Sequence, residues 1–95
     1  MFEWGEDKNR ANIAKHGVSF ELASQIFSGP VMTWFDNREE HGELREISIG
    51  MAQNLAILIV AHTHRSDMTR IISARAATRM ERERYGQALR KGIIG

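Results

Sequence analysis

The 95-residue sequence predicts an α+β domain, with two short N-terminal helices, an antiparallel sheet of about four strands and a C-terminal helix. Three observations carry this. Apolar residues recur at helical spacing before Gly29-Pro30, which contains the only proline of the chain. After that break the apolar residues alternate with a period of two. Finally, Thr78 followed by Glu81 forms a capping-box pattern that opens a charged helix.

Taken in order, residues 7–16 carry Ala11, Ile13 and Ala14 among charged and polar side chains, and Gly17 supplies a left-handed stop. Ser19 is placed to N-cap a second helix in which Leu22, Ala23, Ile26 and Phe27 fall at helical spacing, ending near Ser28-Gly29. Residues 31–35, 43–52, 55–64 and 68–75 then read as strands of a meander, with Gln53-Asn54 and Arg65-Ser66-Asp67 as turns. Residues 56–61 are apolar on both faces, which predicts a central strand covered by helices on at least one side. On the last helix Glu81 is spaced to pair with Arg84, and Glu83 with Arg79. Gly86, Gly92 and Gly95 predict a frayed or mobile tail over residues 86–95 of this single domain.

Composition narrows the function classes. At 42% hydrophobic and 26% charged residues, the chain has the make-up of a folded soluble domain. The absence of cysteine excludes a disulfide framework and a thiolate metal site. The longest apolar run, residues 55–61, is too short to cross a bilayer, and Met1-Phe2-Glu3-Trp4 lacks a signal-peptide core, so a cytoplasmic protein with no membrane partner is expected. The formal charge of +1 hides a polar molecule: residues 1–46 carry −4 and residues 47–95 carry +5. A basic half of this kind suits an anionic partner.

Several side chains stand where they can do chemistry. Arg75 ends the fourth strand just before a helix N-terminus, so a guanidinium fork and free backbone N–H groups can converge on a phosphate; an ion pair with Glu43 or Glu46 is the structural alternative. His62 and His64, at i and i+2 on a strand, share a face and can act as a base and a helper. A metal reading of the same pair needs a third ligand such as His41 or Asp67, and no recognised metal spacing is present, so no metal or cofactor is expected. His16 sits where a cation favours a helix C-terminus. Arg45 alternates onto the face of Ile47 and Ile49, where burial demands a carboxylate or phosphate partner. Tyr85 can stack on a base, or pack on the sheet and keep its hydroxyl wet; Trp4 and Trp34 read as core or interface anchors.

A resemblance ties these residues together. Phe2-Glu3-Trp4, Asp7-Lys8-Asn9-Arg10-Ala11-Asn12, Lys15-His16-Gly17-Val18-Ser19-Phe20-Glu21-Leu22-Ala23, Glu43-Leu44-Arg45 with Ile49-Gly50, and Ile71-Ile72-Ser73-Ala74-Arg75-Ala76-Ala77 with Glu81 and Tyr85 resemble, in order, the BrnT toxins. The resemblance implies a compact RelE-like fold and the toxin of a type II toxin–antitoxin module that cleaves RNA without a metal. It also implies neutralisation by a BrnA-like ribbon-helix-helix antitoxin, with operator DNA reached only through that complex. In such a reaction the ribose 2′-OH attacks the adjacent phosphorus, which requires proton transfer and positive charge on the phosphate. Arg45 and Arg75 are the expected charge stabilisers, His62 the proton-transfer group and Tyr85 a further catalytic candidate. Lys15, His16, Arg70 and Arg79 are the expected RNA contacts. Two other readings compete: a non-catalytic basic module that binds nucleic acid or a protein, and a degenerate toxin that retains only antitoxin binding.

Overall fold

The computed structural model describes residues 1–36 and 44–95, and its element order begins with a strand that the sequence pattern did not reveal. Strand β1 (Phe2–Glu3) leads into helix α1 (Glu6–His16), then α2 (Phe20–Ser24), which tightens into a 3-10 turn over Gln25–Ser28. Strands β2 (Val31–Asp36), β3 (Arg45–Met51), β4 (Ile57–Arg65) and β5 (Met68–Ala76) follow, and α3 (Arg79–Arg90) closes the chain. Among the described residues they form one five-stranded sheet in the order β1-β5-β4-β3-β2. The four long strands pair antiparallel as a meander, while β1 runs parallel to β5, with Phe2 opposite Thr69 and Glu3 opposite Arg70. A strand of two residues is too short to show a period, so only its backbone pairing identifies it. Glu43, expected to begin the second strand, and His41 lie outside the described residues.

Helix α1 docks by a polar face. Its buried residues are Asn9 and Asn12 rather than the expected apolar set, and Ile13 is 44% exposed. The Asn12 amide donates to the carbonyls of Val18 and Ala74, both at 2.8 Å, and its oxygen accepts the Ala74 N–H at 3.2 Å, stitching α1 to β5. The Asn9 oxygen accepts the Phe20 N–H, and its amide donates to Glu21. Both side chains are thereby satisfied in a buried setting where an unpaired polar group is costly. Gly17, at φ 72°, ends the helix as expected, its N–H returning to the Ile13 carbonyl. Ser19 caps α2 by accepting the Leu22 N–H.

Two apolar clusters lie on opposite faces of the sheet. Under α1 and α2, Phe20, Ala23 and Ile26 pack on Leu58, Val60, Ile71 and Ala74. Under α3, Tyr85 and Ala77 pack on Ile49 and Ile59, flanked by Met32, Ile47, Leu89 and Ile94. This is why β4 is apolar on both faces. Gly50 allows the first cluster to close, because a Cβ there would stand 2.9 Å from both the Ile26 Cβ and Val31 Cγ1.

Three expectations change in detail. The connection between β3 and β4 is longer than a two-residue turn, because Leu55 adopts a left-handed φ of 72° and delays the strand until Ile57. The frayed tail is corrected: α3 continues to Arg90, Ala88 is buried, and Ile94 turns back onto the second cluster. Burial of that apolar surface outweighs the helix cost of Gly86. Glu81 does not pair with Arg84; it closes the expected capping box with Thr78 and turns to Arg75, while Arg79 pairs with Glu83 at 3.4 Å as spaced.

Candidate functional site

The α3 face of the sheet carries a groove beyond the reach of the helix. Its walls come from Trp34 on β2, Ile47 on β3, Ile59 and Ala61 on β4, Ser73 and Arg75 on β5, and His16 at the end of α1, enclosing about 450 Å³. Alternation places Arg75 here, since it pairs with Ile59 in the β4–β5 register. The walls thus combine an apolar floor with a guanidinium, an imidazole, a hydroxyl, the carboxylate of Asp36 and an indole that is 44% exposed.

Arg75 is held before any ligand arrives. Its Nη1 and Nη2 donate to the Glu81 carboxylate at 2.8 and 3.0 Å, and Nη1 also reaches the Ala76 carbonyl at 3.3 Å. Glu81 in turn accepts the Thr78 N–H at 2.8 Å, so the capping box that starts α3 also aims the arginine. The hydrogen bonds from Arg75 hold the Glu81 carboxyl down to about 2, and Glu81 raises the guanidinium further above its already high value. These three bonds leave two of an arginine's five donors, on its Nε–Nη2 edge, to form a fork suited to phosphate oxygens. Neither Glu46 nor Glu43 is the partner, since Glu46 lies on the other face and Glu43 outside the described residues.

The remaining candidates divide between the faces. His16 lines the groove, and Lys15 is exposed beside it in the last turn of α1. Arg45 alternates onto the groove face with Ile47, opposite Asp36, and its buried Nε has no hydrogen-bond partner among the described residues. Arg70 stands next to β1, 3.7 Å from Glu3, and Arg79 is an exposed surface cation. Sequence reasoning missed Trp34 as a groove residue; its alternation with Met32, on a strand at the sheet edge, is the signal that would have placed it.

His62 and Tyr85 do not join this group. His62 is 2% exposed and lies on the α1–α2 face, its ring edge-on to Phe27 with centroids 5.0 Å apart. Burial pushes its pKa down, against the upward pull of Glu46, and His64 adds to the lowering. Alternation along β4 separates it from the Arg75 face, so the expected pairing of His62 with Arg75 is corrected. Tyr85 is 1% exposed and donates its hydroxyl to the Pro30 carbonyl at 2.7 Å, pinning α3 to the start of β2. Its phenol is buried in the second cluster, and burial raises its pKa. The expectation of a wet or base-stacking tyrosine is corrected.

No helix among the described residues is long and apolar enough to cross a membrane. No curated protein matches the chain. Among solved structures, the chain is similar to the ribonuclease toxin BrnT of Brucella abortus, with 28% identity and a TM-score of 0.60 over 82% of this chain and 96% of that one. The family of the ribonuclease toxin BrnT of type II toxin–antitoxin systems matches residues 4–81, from Trp4 through the Glu81 that holds Arg75. With the α+β fold, the ordered segments and most of its length in agreement, this chain belongs to the BrnT toxin family.

Proposed function

We propose that this chain is a metal-independent endoribonuclease that inhibits growth, and that the groove beside Arg75 is where it cuts. The observation that carries the reading is the arginine itself: fixed by Glu81, it still offers a donor edge to a groove shared with His16 and Trp34. The family description, a ribonuclease toxin, supports the same reaction class.

In this reading the RNA backbone crosses the groove with a phosphate on the Nε–Nη2 edge of Arg75. The ribose 2′-OH attacks the neighbouring phosphorus, its proton passes to a base, and the 5′-oxygen leaves with a proton from water. Charge accumulates on the equatorial phosphate oxygens, where a fixed guanidinium stabilises the transition state more than the ground state. His16 takes the role first expected of His62, because imidazole is suited to proton transfer near neutral pH and this one borders the groove. Trp34 offers a face on which a base can stack. Arg45 and Lys15 add positive charge near the groove, with Arg70 and Arg79 as outer contacts. Orientation and electrostatics supply most of the rate, with His16 and the Asp36 carboxylate as the proton-transfer groups that border the groove.

The antitoxin in this reading is a BrnA-like ribbon-helix-helix protein that neutralises the chain in the cytoplasm and carries the complex to operator DNA. The type II family description supports an antitoxin partner. Incubation of purified chain with bulk RNA in EDTA tests the activity. Fragments ending in 2′,3′-cyclic phosphate are the expected product. Intact RNA from a folded chain that still inhibits growth and binds its antitoxin contradicts direct cleavage of free RNA.

A further inference from the structure

The opposite face of the sheet holds a second cluster that the RNA-cleavage reading does not use. Glu46 on β3 stands directly across from His62 on β4, and His64 follows two residues later on the same strand. The His62 ring is fixed on two sides: Nε2 lies 2.7 Å from Ser48 Oγ, itself 2.7 Å from Thr33 Oγ1, and Phe27 packs edge-on. Its other nitrogen, Nδ1, is buried and has no hydrogen-bond partner among the described residues. That nitrogen faces Glu46 Oε2 at 3.7 Å, and the same oxygen lies 3.3 Å from His64 Nε2. The three ligand atoms lie within 4.8 Å of one another.

We propose that Glu46, His62 and His64 form a binding site for a divalent transition metal of the zinc class. The geometry fits a tetrahedral ion. Bonds of roughly 2.0–2.2 Å place neighbouring tetrahedral ligands about 3.3–3.6 Å apart, and two of the three edges here already measure 3.3 and 3.7 Å. The third closes by rotation of His64, whose side chain is 60% exposed. The donor set of two imidazoles and a carboxylate selects zinc, cobalt, nickel or copper over magnesium and calcium, which prefer oxygen shells. The third ligand comes from the neighbouring strand, not from Asp67, and the expected alternative His41 lies outside the described residues.

The surroundings support the ligands. Metal-bound histidines usually engage their second ring nitrogen with a fixed acceptor, and the Ser48–Thr33 hydroxyl pair provides one for His62. Without an ion, the buried Nδ1 fails to reach Glu46 whichever ring nitrogen carries the proton; a cation between them satisfies both. A solvent-open hollow of about 220 Å³, bounded by Leu44, Glu46, Thr63 and His64, leaves room for a water as fourth ligand. All three ligands stand on paired strands, which keeps their spacing rigid.

Calorimetric titration of the chelator-treated full chain with Zn²⁺ tests the site, with Co²⁺ as a spectroscopic probe and Mg²⁺ as the contrasting ion. One Zn²⁺ per chain, Co²⁺ absorption bands of a four-coordinate N,O site, and no competition by Mg²⁺ are expected. His64→Ala, an exposed change that spares the core, should weaken Zn²⁺ binding at least ~10-fold, and Ser48→Ala, which frees the His62 ring, by ~10-fold or more. Folded protein that binds no Zn²⁺ in stoichiometric amount overturns the proposal. So does binding that is equally tight in His64→Ala and Glu46→Gln.

Discussion

Arg75 and Glu81, six residues apart across the junction of β5 and α3, are joined by two hydrogen bonds of 2.8 and 3.0 Å, so the arginine at the groove wall is positioned by the helix cap. The same carboxylate completes the capping box, which couples helix initiation to the shape of the groove. Arg75→Lys keeps the charge but loses the planar fork.

The pair gives a pH dependence of known sign. The Glu81 carboxyl is held at about 2 in the folded chain against an ordinary 4.5, so it favours folding at every pH above its unfolded value. That contribution disappears as pH falls from 4.5 towards 2. For a pair partly open to solvent it amounts to about 1 kcal/mol. Thermal unfolding across this window should fall more steeply for the wild type than for Glu81→Gln, whose amide does not titrate. Parallel curves would show that the pair adds no stability.

Asn12→Ala should destabilise the chain by about 2–4 kcal/mol, because it strands the N–H and carbonyl of Ala74 and the carbonyl of Val18 in a buried seam. Urea unfolding measures this directly. A loss below ~0.5 kcal/mol would mean that α1 is held by other contacts.

Gly50→Ala places a methyl group 2.9 Å from Ile26 Cβ and Val31 Cγ1, a clash that is relieved by shifting the 3-10 turn together with the Val31 side chain. Overpacking of this kind costs about 1–3 kcal/mol. The same urea experiment tests it, and an unchanged midpoint would show that the turn gives way freely.

Much of this architecture was legible in the sequence, and the failures have physical causes. The caps at Ser19 and Thr78 and the stop at Gly17 were readable because they are local, each set by side chains within a few residues. Strand β1 was not, since its pairing with β5 joins residues far apart in sequence. The docking face of α1 was misread for a related reason: its buried asparagines answer backbone groups of Val18 and Ala74, and periodicity registers only apolar residues. The site shows the same division. The position of Arg75 between a strand and a helix N-terminus was readable because it is local, but the face that each strand shows to its neighbours depends on register. A register shift between Ala61 and His62 complicates that alternation further. His62 therefore read as a partner of Arg75 although the sheet lies between them.

Tyr85→Phe separates structural from chemical roles on α3. Loss of the hydroxyl leaves the Pro30 carbonyl without its partner and should cost about 1 kcal/mol. RNA cleavage per folded molecule should not change. A drop of ~100-fold with the fold intact would return the phenol to the chemistry.

Single-turnover cleavage of RNA in EDTA by wild type, Arg75→Ala and Arg75→Lys, each normalised to folded protein, decides whether the Arg75 groove is where the proposed cut is made. Loss of one fixed transition-state contact predicts a rate lower by about 100-fold or more for Arg75→Ala. Arg75→Lys should recover only a small part of that loss. Wild-type rates from folded Arg75→Ala would contradict the assignment and place the chemistry elsewhere.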